Sequence, residues 1–144
     1  MIILGEVAVK RGLITNLFDS ARQVQSLSVD LTLRYVQTWR ASGALGFNHR
    51  ERALTQTLRF PRPGEPLRLT PGAYNVEFNE VINVPSDMVA YISSRHIAEG
   101  IMLSGSTLSN FRGHTFAILQ VLNPHGIALY NNARVGKIEF HTDD

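Results

Sequence analysis

The stretch from Tyr74 to Val84, YNVEFNEVINV, contains the clearest pattern in the chain and decides its fold class. Its even-numbered residues are apolar apart from Glu80, whereas its odd-numbered residues are polar apart from Val81. An alternation with a period of two is typical of a β-strand that lies against a core on one face. The sequence therefore predicts a long strand here, with one acidic residue on its mainly apolar face.

Several shorter strands are predicted on both sides of this stretch, separated by turn signals such as Pro71-Gly72. A short helix is predicted from Ile3 to Arg11, because Gly12 follows where a helix end favours glycine. Many short strands at this spacing predict an all-β barrel or sandwich-like domain. The predicted strands are Val29 to Val36, Leu67 to Leu69, Met88 to Ile92, Thr115 to Leu122, Ile127 to Tyr130 and Arg134 to Phe140.

The segment from Ala41 to Pro66 is polar, rich in glycine and proline, and weakly patterned. We expect a long surface excursion there, with a short strand from Thr55 to Phe60. No repeat or composition break divides the rest of the chain. Residues 1–144 are therefore expected to form a single domain.

The overall composition is that of a globular protein, with 44% hydrophobic and 18% charged residues among 144. The longest apolar runs are far shorter than the roughly 20 residues of a membrane-spanning helix, so no membrane partner is expected. The N-terminal segment places apolar residues before basic ones, the reverse of a secretory signal, and the chain contains no cysteine. These features predict a cytoplasmic protein without disulfides or thiolate metal sites.

The charged residues are nearly balanced: twelve arginines and two lysines stand against twelve acidic residues, and the net charge is +2. The basic residues are dispersed along the chain without forming a stripe, which argues against a nucleic-acid partner. A free nucleotide stays open as a ligand, because a few well-placed arginines suffice to bind phosphate groups.

Six short motifs, in order, resemble those of the dCTP deaminase and dUTPase superfamily across most of the chain. They are similar to the family's strand motif, its proline-glycine turn, the proline-containing end of the strand after that turn, its phosphate motif, the end of its catalytic loop and its last strand. The N-terminal helix is similar to that of the deaminases and favours that branch. The motifs are Gln25-Ser26-Leu27-Ser28-Val29-Asp30-Leu31, Leu69-Thr70-Pro71-Gly72, Val84-Pro85-Ser86-Asp87, Ser93-Ser94, Phe111-Arg112-Gly113 and Asn131-Asn132-Ala133-Arg134-Val135-Gly136-Lys137-Ile138-Glu139-Phe140.

This resemblance implies a β-clip fold, a distorted barrel of the dUTPase-like type with a short N-terminal helix. It also implies a homotrimer with nucleotide sites between its subunits. The reaction of the family is hydrolysis of a pyrimidine deoxynucleotide, either deamination of dCTP or cleavage of dUTP between its phosphates. In the dUTPases a Mg²⁺ ion holds the phosphates, so Mg²⁺ is expected here only together with a nucleoside triphosphate.

The family's catalytic glutamate aligns with Gln120, counted back from Asn123. In the deaminases that glutamate deprotonates water and returns the proton to the leaving ammonia, whereas glutamine has no titratable proton for this step. Gln120 is therefore either a buried structural amide or a residue of the nucleotide site. The stretch from Leu108 to Gly113 also lacks the aspartate with which dUTPases activate water.

The phosphate motif of the deaminases, which contains two arginines and two serines, is only partly present. Ser93 and Ser94 match its serines, whereas Ile92 replaces its first arginine. Its second arginine is absent unless Arg95 has shifted along the loop to serve. Ser93, Ser94 and Arg95 are therefore expected to bind a nucleotide's phosphates. Alternatively, Arg95 and His96 are two cations of a solvent-facing loop.

Two further positions have two interpretations each. Phe111 is expected to bind the nucleotide by stacking on its base, or else to pack beneath its own turn. Asp30 either serves the nucleotide and its metal, as its counterpart does in dUTPases, or caps a neighbouring turn. The five histidines lack the spacing of a zinc site, and no metal-binding residues are predicted.

The residues leave three hypotheses open for the function. The first is a divergent family member that binds a deoxynucleotide, or persists as a trimer, without the ancestral catalysis. The second is an active dCTP deaminase or dUTP diphosphatase whose carboxylate is relocated to Glu77, Glu80 or Glu99 of a neighbouring subunit. The third is a structural or interaction module without a small-molecule ligand. We expect no counterpart of the family's C-terminal lid after Phe140, and this favours the first hypothesis.

Overall fold

A computed structural model describes residues 1–95 and 97–142, and His96, Asp143 and Asp144 lie outside the described residues. The predicted all-β class is confirmed. The elements in chain order are α1 (Gly5–Lys10), β1 (Ile14–Thr15), α2 (Ser20–Gln23), β2 (Val29–Trp39), β3 (Ala44–Leu45), β4 (Arg50–Glu51), β5 (Thr55–Leu58), β6 (Leu67–Leu69), β7 (Gly72–Val84), β8 (Met88–Ser94), the 3-10 helix η1 (Ile97–Glu99), β9 (Ile101–Leu103), β10 (Ser106–Leu108), β11 (Phe111–Val121), β12 (Ile127–Leu129) and β13 (Arg134–Thr142).

Within the described residues, nine strands form one antiparallel sheet in the order β10-β8-β13-β2-β7-β11-β9, with β1 added to β7 and β5 added to β2. β2 belongs to both halves of this sheet. Its first part pairs with β13, and its second part pairs with β5 and β7. Register shifts between Leu33 and Tyr35, and between His114 and Phe116, allow the strands to bend. The sheet therefore curls around a core.

The core lies inside this curl. β7 buries its even-numbered residues from Tyr74 to Val84, as the alternation predicts, and Glu80 is fully buried among them. The other strands add the buried side chains Val29, Leu31, Leu33, Leu119, Ile138 and Phe140. A carboxyl group thus lies within an otherwise apolar interior.

The predicted N-terminal helix is present but shorter than expected, since α1 covers Gly5–Lys10. Gly12 follows it with a left-handed φ of 74°, a conformation in which glycine is favoured. At the start of the helix, Gly5 lies against the backbone that leads into β2. A Cβ atom added to it would lie 2.2 Å from the carbonyl oxygen of Gln25 and 2.6 Å from that of Ser28.

Replacing Gly5 by alanine is expected to destabilise the chain far more than replacing Gly12 by alanine. G5A places a methyl group against backbone oxygens and should lower the free energy of unfolding by about 3 kcal/mol. G12A meets open space, so it only strains a left-handed backbone, at a cost of about 1 kcal/mol. Urea unfolding followed by circular dichroism measures both losses. Equal losses would contradict the close approach at Gly5.

The segment from Ala41 to Pro66 is a surface excursion, as predicted. Within it, β3 and β4 form a small hairpin, and β5 extends the sheet beside the end of β2. The predicted strand from Thr55 is therefore confirmed as β5. Three large apolar side chains of this segment are exposed, namely Leu45, Phe47 and Leu54.

Candidate functional site

A cluster of charges is centred on Asp30, a residue of β2 whose side chain is 2% exposed. Its Oδ2 atom accepts hydrogen bonds from Nη1 of Arg95 at 2.5 Å and from Nη1 of Arg134 at 3.3 Å. The side chain of Gln25 donates to the same oxygen at 3.0 Å. Two arginines thus converge on one buried carboxylate, which holds their guanidinium groups in place. We call these four residues the Asp30 cluster.

Strand pairing brings the cluster together. β13 pairs with β2 on one side and with β8 on the other, so its first residues lie between Asp30 and the end of β8. Arg134 begins β13 and is opposite Thr32, and Arg95 follows directly after β8 ends at Ser94. The two arginines are 65 and 104 positions away from Asp30 along the chain.

Of the three charged residues of this cluster, two are candidates from the sequence and one is not. Arg95 is expected to bind an anion, and the contacts of Asp30 favour a charged site over a turn cap. His96, the other cation expected in that loop, lies outside the described residues. Arg134 was missed, because it reads as an ordinary cation at the start of the last strand. The signal that identifies it is its register opposite Thr32, two residues after Asp30.

Ser93 and Ser94 end β8, where they are opposite Lys137 and Gly136 of β13. Both serine side chains are half-buried. The Oγ atom of Ser94 accepts a hydrogen bond from the backbone N–H of Leu103 at 3.1 Å. The two hydroxyl groups thus precede Arg95 directly, and their binding to phosphate stays a prediction.

Phe111 begins β11, four residues earlier than the strand predicted there. Its ring is half-buried and packs against the core, and the residue pairs with Val84 at the end of β7. This packing agrees with the interpretation in which Phe111 supports its own turn. Stacking of the ring on a nucleotide base stays a prediction.

Gln120 lies on the outer face of β11, and its side chain is exposed. The inner face of that strand is formed by buried residues such as Ala117 and Leu119. The interpretation of Gln120 as a buried structural amide is therefore wrong for this chain. The reason is that an almost continuous apolar run does not reveal which of its faces is covered. The direct cross-strand neighbours of Gln120 are Ala73 and Met102.

Large apolar side chains surround Gln120 on this outer face. Phe116 is 64% exposed, Leu122 is 60% exposed and Met102 is 45% exposed. Exposed large apolar side chains that share one face are typical of a face that is covered by a partner. We call Gln120 with these three residues the outer patch.

A cleft of about 300 Å³ lies beside the Asp30 cluster. Glu99, the last residue of η1, and Arg134 both line it, together with apolar residues that include Ile101, Ile127 and Leu129. Glu99 and Arg134 are therefore the two charged residues at the border of one opening, whose other lining residues are apolar.

Glu77 lies on the outward side of β7 and is held by a cation. Its Oε2 atom accepts a hydrogen bond from Nη1 of Arg34 at 3.0 Å. The same Nη1 atom lies 3.2 Å from Nε2 of His114, and this nitrogen accepts because arginine only donates. Burial, followed by contact with Glu77, raises the pKa of Tyr35. As a relocated base, Glu77 would act with Arg34 bound to one of its two oxygens.

Glu80 is satisfied entirely by internal contacts. Its Oε1 atom accepts from the backbone N–H of Thr32 at 2.9 Å, and its Oε2 atom accepts from the Thr32 hydroxyl at 2.5 Å and from Gln23 Nε2 at 2.9 Å. Burial raises the pKa of Glu80, whereas the hydrogen bonds from Thr32 and Gln23 act in the opposite direction. Because this side chain has no exposed surface, it is excluded as a base for a nucleotide at a subunit interface.

Gln23 links Glu80 to the Asp30 cluster. Its Nε2 atom donates to Glu80 and to the backbone carbonyl of Asp30, each at 2.9 Å. Its Oε1 atom accepts from the backbone N–H of Asp19 at 2.7 Å. A paired, buried polar network therefore supports β2 beneath the two arginines.

The described residues do not form a metal site of their own. Among residues 1–95 and 97–142, no group of three or more His, Cys, Asp or Glu side chains could hold a metal ion. Asp30, whose counterpart serves the metal in dUTPases, is already engaged by two arginines. In the same part of the chain, no helix is long and apolar enough to span a membrane.

Two curated relatives resemble this chain over most of its length. A "Probable deoxyuridine 5'-triphosphate nucleotidohydrolase" of Methanosarcina mazei is 32% identical over 138 residues, which cover 90% of this chain and 78% of the relative. The protein of the same name from Methanosarcina barkeri is 33% identical, with the same coverage.

A solved structure and a family model agree with these relatives. The crystal structure of 2'-deoxycytidine 5'-triphosphate deaminase from Agrobacterium tumefaciens superposes with a TM-score of 0.73 at 19% identity. The match covers 98% of this chain and about half (48%) of that one, and it confirms the predicted dUTPase-like fold. The family model described as dCTP deaminase-like matches residues 3–142. The chain therefore belongs to the dCTP deaminase-like family.

Proposed function

We propose that the chain binds a pyrimidine deoxynucleoside triphosphate at the Asp30 cluster without deaminating or hydrolysing it. The observation that carries this proposal is the convergence of Arg95 and Arg134 on the buried carboxylate of Asp30. The names of the relatives, which refer to deoxyuridine triphosphate, support a ligand of this class.

Arginines that are held in place suit a triphosphate. A guanidinium group has five N–H donors, so an arginine bound to Asp30 through Nη1 can also donate to a phosphate oxygen. Because Asp30 already restrains both side chains, less conformational entropy is lost when the ligand binds. The hydroxyl groups of Ser93 and Ser94 would add donors next to Arg95.

The proposed loss of catalysis rests on β11. Gln120 can hold a water molecule by hydrogen bonding, but it cannot take a proton from that water. Its cross-strand neighbours Ala73 and Met102 carry no carboxylate that could replace the family's glutamate. A nucleotide bound in the family's manner would therefore meet no general base at this position.

A second candidate is an active hydrolase that uses Glu99 as its general base. The observation in its favour is that Glu99 and Arg134 line the same cleft. E99Q removes the base with little change of shape. If dUTP is hydrolysed or dCTP is deaminated by the wild type, and E99Q abolishes that turnover, this candidate replaces the first.

Mg²⁺ is expected to enter only with the phosphates of the nucleotide, because the described residues provide no ligand set for it. Bound in that way, it would neutralise part of the triphosphate charge, while the arginines orient the phosphates. The proposed compartment is the cytoplasm, where free deoxynucleoside triphosphates occur.

We also propose that the chain forms a homotrimer and that the outer patch lies at its interface. The patch combines three exposed apolar side chains with the position of the family's catalytic residue. Burial of this surface in an assembly would remove the exposed apolar area and place Gln120 between subunits.

F116S is expected to weaken this assembly at least tenfold. Burial of an aromatic side chain is among the largest contributions to an interface, and serine removes it. F18S is the matched control, since Phe18 is also 64% exposed but lies outside the patch. Sedimentation velocity over a range of concentrations measures the self-association of the wild type and of both variants. A monomeric wild type, or equal behaviour of the two variants, would contradict the proposal.

Thermal-shift measurements test the nucleotide proposal. dUTP, dCTP, ATP and pyrophosphate are added separately to the wild type, with and without Mg²⁺. A ligand present at 100 times its Kd stabilises the fold by about 2.7 kcal/mol. We expect pyrimidine deoxynucleotides to raise the melting temperature more than ATP or pyrophosphate. The absence of any shift at millimolar nucleotide would refute binding.

A further inference from the structure

A third cation lies beside the Asp30 cluster, on the middle one of the three strands that form it. Lys137 of β13 is directly opposite Asp30 of β2 on one side and directly opposite Ser93 of β8 on the other. Side chains that are directly opposite each other in a sheet share a face, and their Cβ atoms lie about 4.5–5.5 Å apart. Asp30, Lys137 and Ser93 therefore form one row across three strands, which we call the Lys137 row.

The Lys137 row lies on the outer face of the sheet. The next row along the same three strands consists of Val29, Ile138 and Ile92, all of which are buried in the core. Successive side chains of a strand point to opposite faces, so the Lys137 row points away from the core. The side chains of Lys137 and Ser93 are half-buried, and a ligand on this face can reach both of them.

The amine of Lys137 has no acidic partner in the part of the chain that the structure describes. The carboxylate of Asp30, which is opposite, is already bound by the two arginines of the Asp30 cluster. The other carboxylate on this face of β13 belongs to Glu139, whose Oε2 atom lies 3.3 Å from Nε2 of His141. A half-buried ammonium group without a counter-ion favours an anionic ligand.

The Lys137 row has the charge and the length for a chain of phosphate groups. The two arginines of the Asp30 cluster outweigh the charge of Asp30 by one, and Lys137 adds a second positive charge. Glu99 lines the cleft beside Arg134, whereas Lys137 does not line that cleft. Adjacent strands lie about 4.8 Å apart, so the row spans roughly 10 Å. This length exceeds what a single phosphate group needs.

We propose that Lys137 binds the phosphate chain of the nucleotide and makes the site select a triphosphate over a monophosphate. This inference rests on the proposed nucleotide site and specifies what distinguishes its ligands. A monophosphate is bound by the two arginines of the Asp30 cluster alone. Each further phosphate adds negative charge, which attracts the point charge of a lysine without requiring one fixed geometry. The hydroxyl group of Ser93 donates to the same phosphate chain at the end of the row.

Acetylation of amines in the wild type tests this contact, because the chain has only two lysines. Lys10, which is exposed at the end of α1, is the internal control. The protein is treated briefly with an N-hydroxysuccinimide ester of acetic acid, and peptide mass spectrometry gives the rate at each lysine. The added ligands are inorganic tripolyphosphate, dUTP, dCTP, dUMP and dCMP.

We expect tripolyphosphate and at least one of the two nucleoside triphosphates to protect Lys137. With a ligand present at about ten times its Kd, Lys137 should react about tenfold more slowly, since only the free protein reacts there. Lys10 should react at an unchanged rate. At equal occupancy, the monophosphates should protect Lys137 less than the triphosphates do.

K137M separates the contribution of this lysine from that of the arginines. It should weaken the binding of dUTP or dCTP about tenfold or more, and the binding of the matching monophosphate by less than about threefold. K137R should retain most of the affinity for the triphosphate, because arginine keeps the charge. K10M should bind both ligands as the wild type does. Thermal-shift titrations give these affinities.

Two results would overturn the inference. The first is a Lys137 that is acetylated at the same rate with and without tripolyphosphate and both triphosphates. The second is a K137M variant that loses affinity equally for triphosphates and monophosphates, because the lysine would then not contact the additional phosphates. The acetylation experiment uses the wild type, so it decides the question even if K137M does not fold.

Failure of the nucleotide proposal gives a different result. If tripolyphosphate protects Lys137 but no nucleotide binds more tightly than tripolyphosphate, the nucleotide proposal is refuted, and the contact of Lys137 with a phosphate chain is supported. If the wild type binds dUTP or dCTP while Lys137 stays fully reactive, the nucleotide site is supported and the role of Lys137 is refuted.

Discussion

E80A is expected to lower the free energy of unfolding by about 3–5 kcal/mol at mildly acidic pH. The substitution leaves the backbone N–H and the hydroxyl of Thr32, and one N–H of Gln23, without the acceptor that they have in the native fold. Each buried donor that loses its partner costs about 1–3 kcal/mol. The removed atoms also leave a cavity in the core. Urea unfolding at pH 4.5 to 8 measures the loss.

E77A is the matched control, because Glu77 lies three residues earlier on the same strand. Its carboxylate binds Arg34, whose side chain is 45% exposed. An exposed ion pair of this kind contributes at most about 1 kcal/mol. If E80A unfolds no more easily than E77A, the buried network does not hold β2 and β7 together.

The difference in unfolding free energy between the wild type and E80Q should depend on pH. The sign of this dependence follows from the raised pKa of Glu80. The ordinary value is 4.5, and burial raises it in the fold. The contribution of Glu80 to stability is therefore fully present below pH 4.5 and is lost as the pH rises through the higher folded value. Glutamine does not titrate, so the advantage of the wild type over E80Q should shrink as the pH rises. An advantage that grows with pH would contradict this account.

R134A is expected to weaken the binding of dUTP or dCTP by about tenfold to a hundredfold. A hydrogen bond to a charged group contributes about 1.5–3 kcal/mol, and every 1.4 kcal/mol corresponds to a factor of ten in affinity. R134K should fall between R134A and the wild type, because lysine keeps the charge but loses the planar set of donors. Thermal-shift titrations give the affinities.

R68A controls for the loss of one positive charge. Arg68 is exposed on β6, where it is opposite Ala128 of β12, and it is not one of the four residues of the Asp30 cluster. The R68A variant should bind dUTP or dCTP with an affinity within about twofold of that of the wild type. If R68A and R134A weaken binding equally, the nucleotide responds to overall charge and not to the cluster.

Local pattern was sufficient to predict eight of the strands and one face of the core, whereas the short strands β1, β3, β4, β9 and β10 were not predicted. In β7 the alternation places Glu80 among buried residues because side chains of a strand point alternately to its two faces. The partners of Glu80 lie 48 and 57 positions away. Such contacts depend on which strands become neighbours, and no local pattern contains that information.

The site was predicted less completely than the fold for the same reason. Asp30 and Arg95 are noticeable within their motifs, whereas Arg134 gains its meaning only from the pairing of β13 with β2. For Gln120, the local pattern left open which face of the strand the side chain is on. Both faces of β11 carry apolar side chains, so its sequence could not separate the core face from the outer patch.

Isothermal titration calorimetry of the wild type with dUTP, and then with dCTP, tests the central proposal most directly. One experiment reports both binding and turnover, because hydrolysis releases heat continuously after each injection. We predict a saturable isotherm without continuing heat, for at least one of the two nucleotides. Continuing heat would contradict the loss of catalysis, and the absence of any isotherm would contradict binding at the Asp30 cluster.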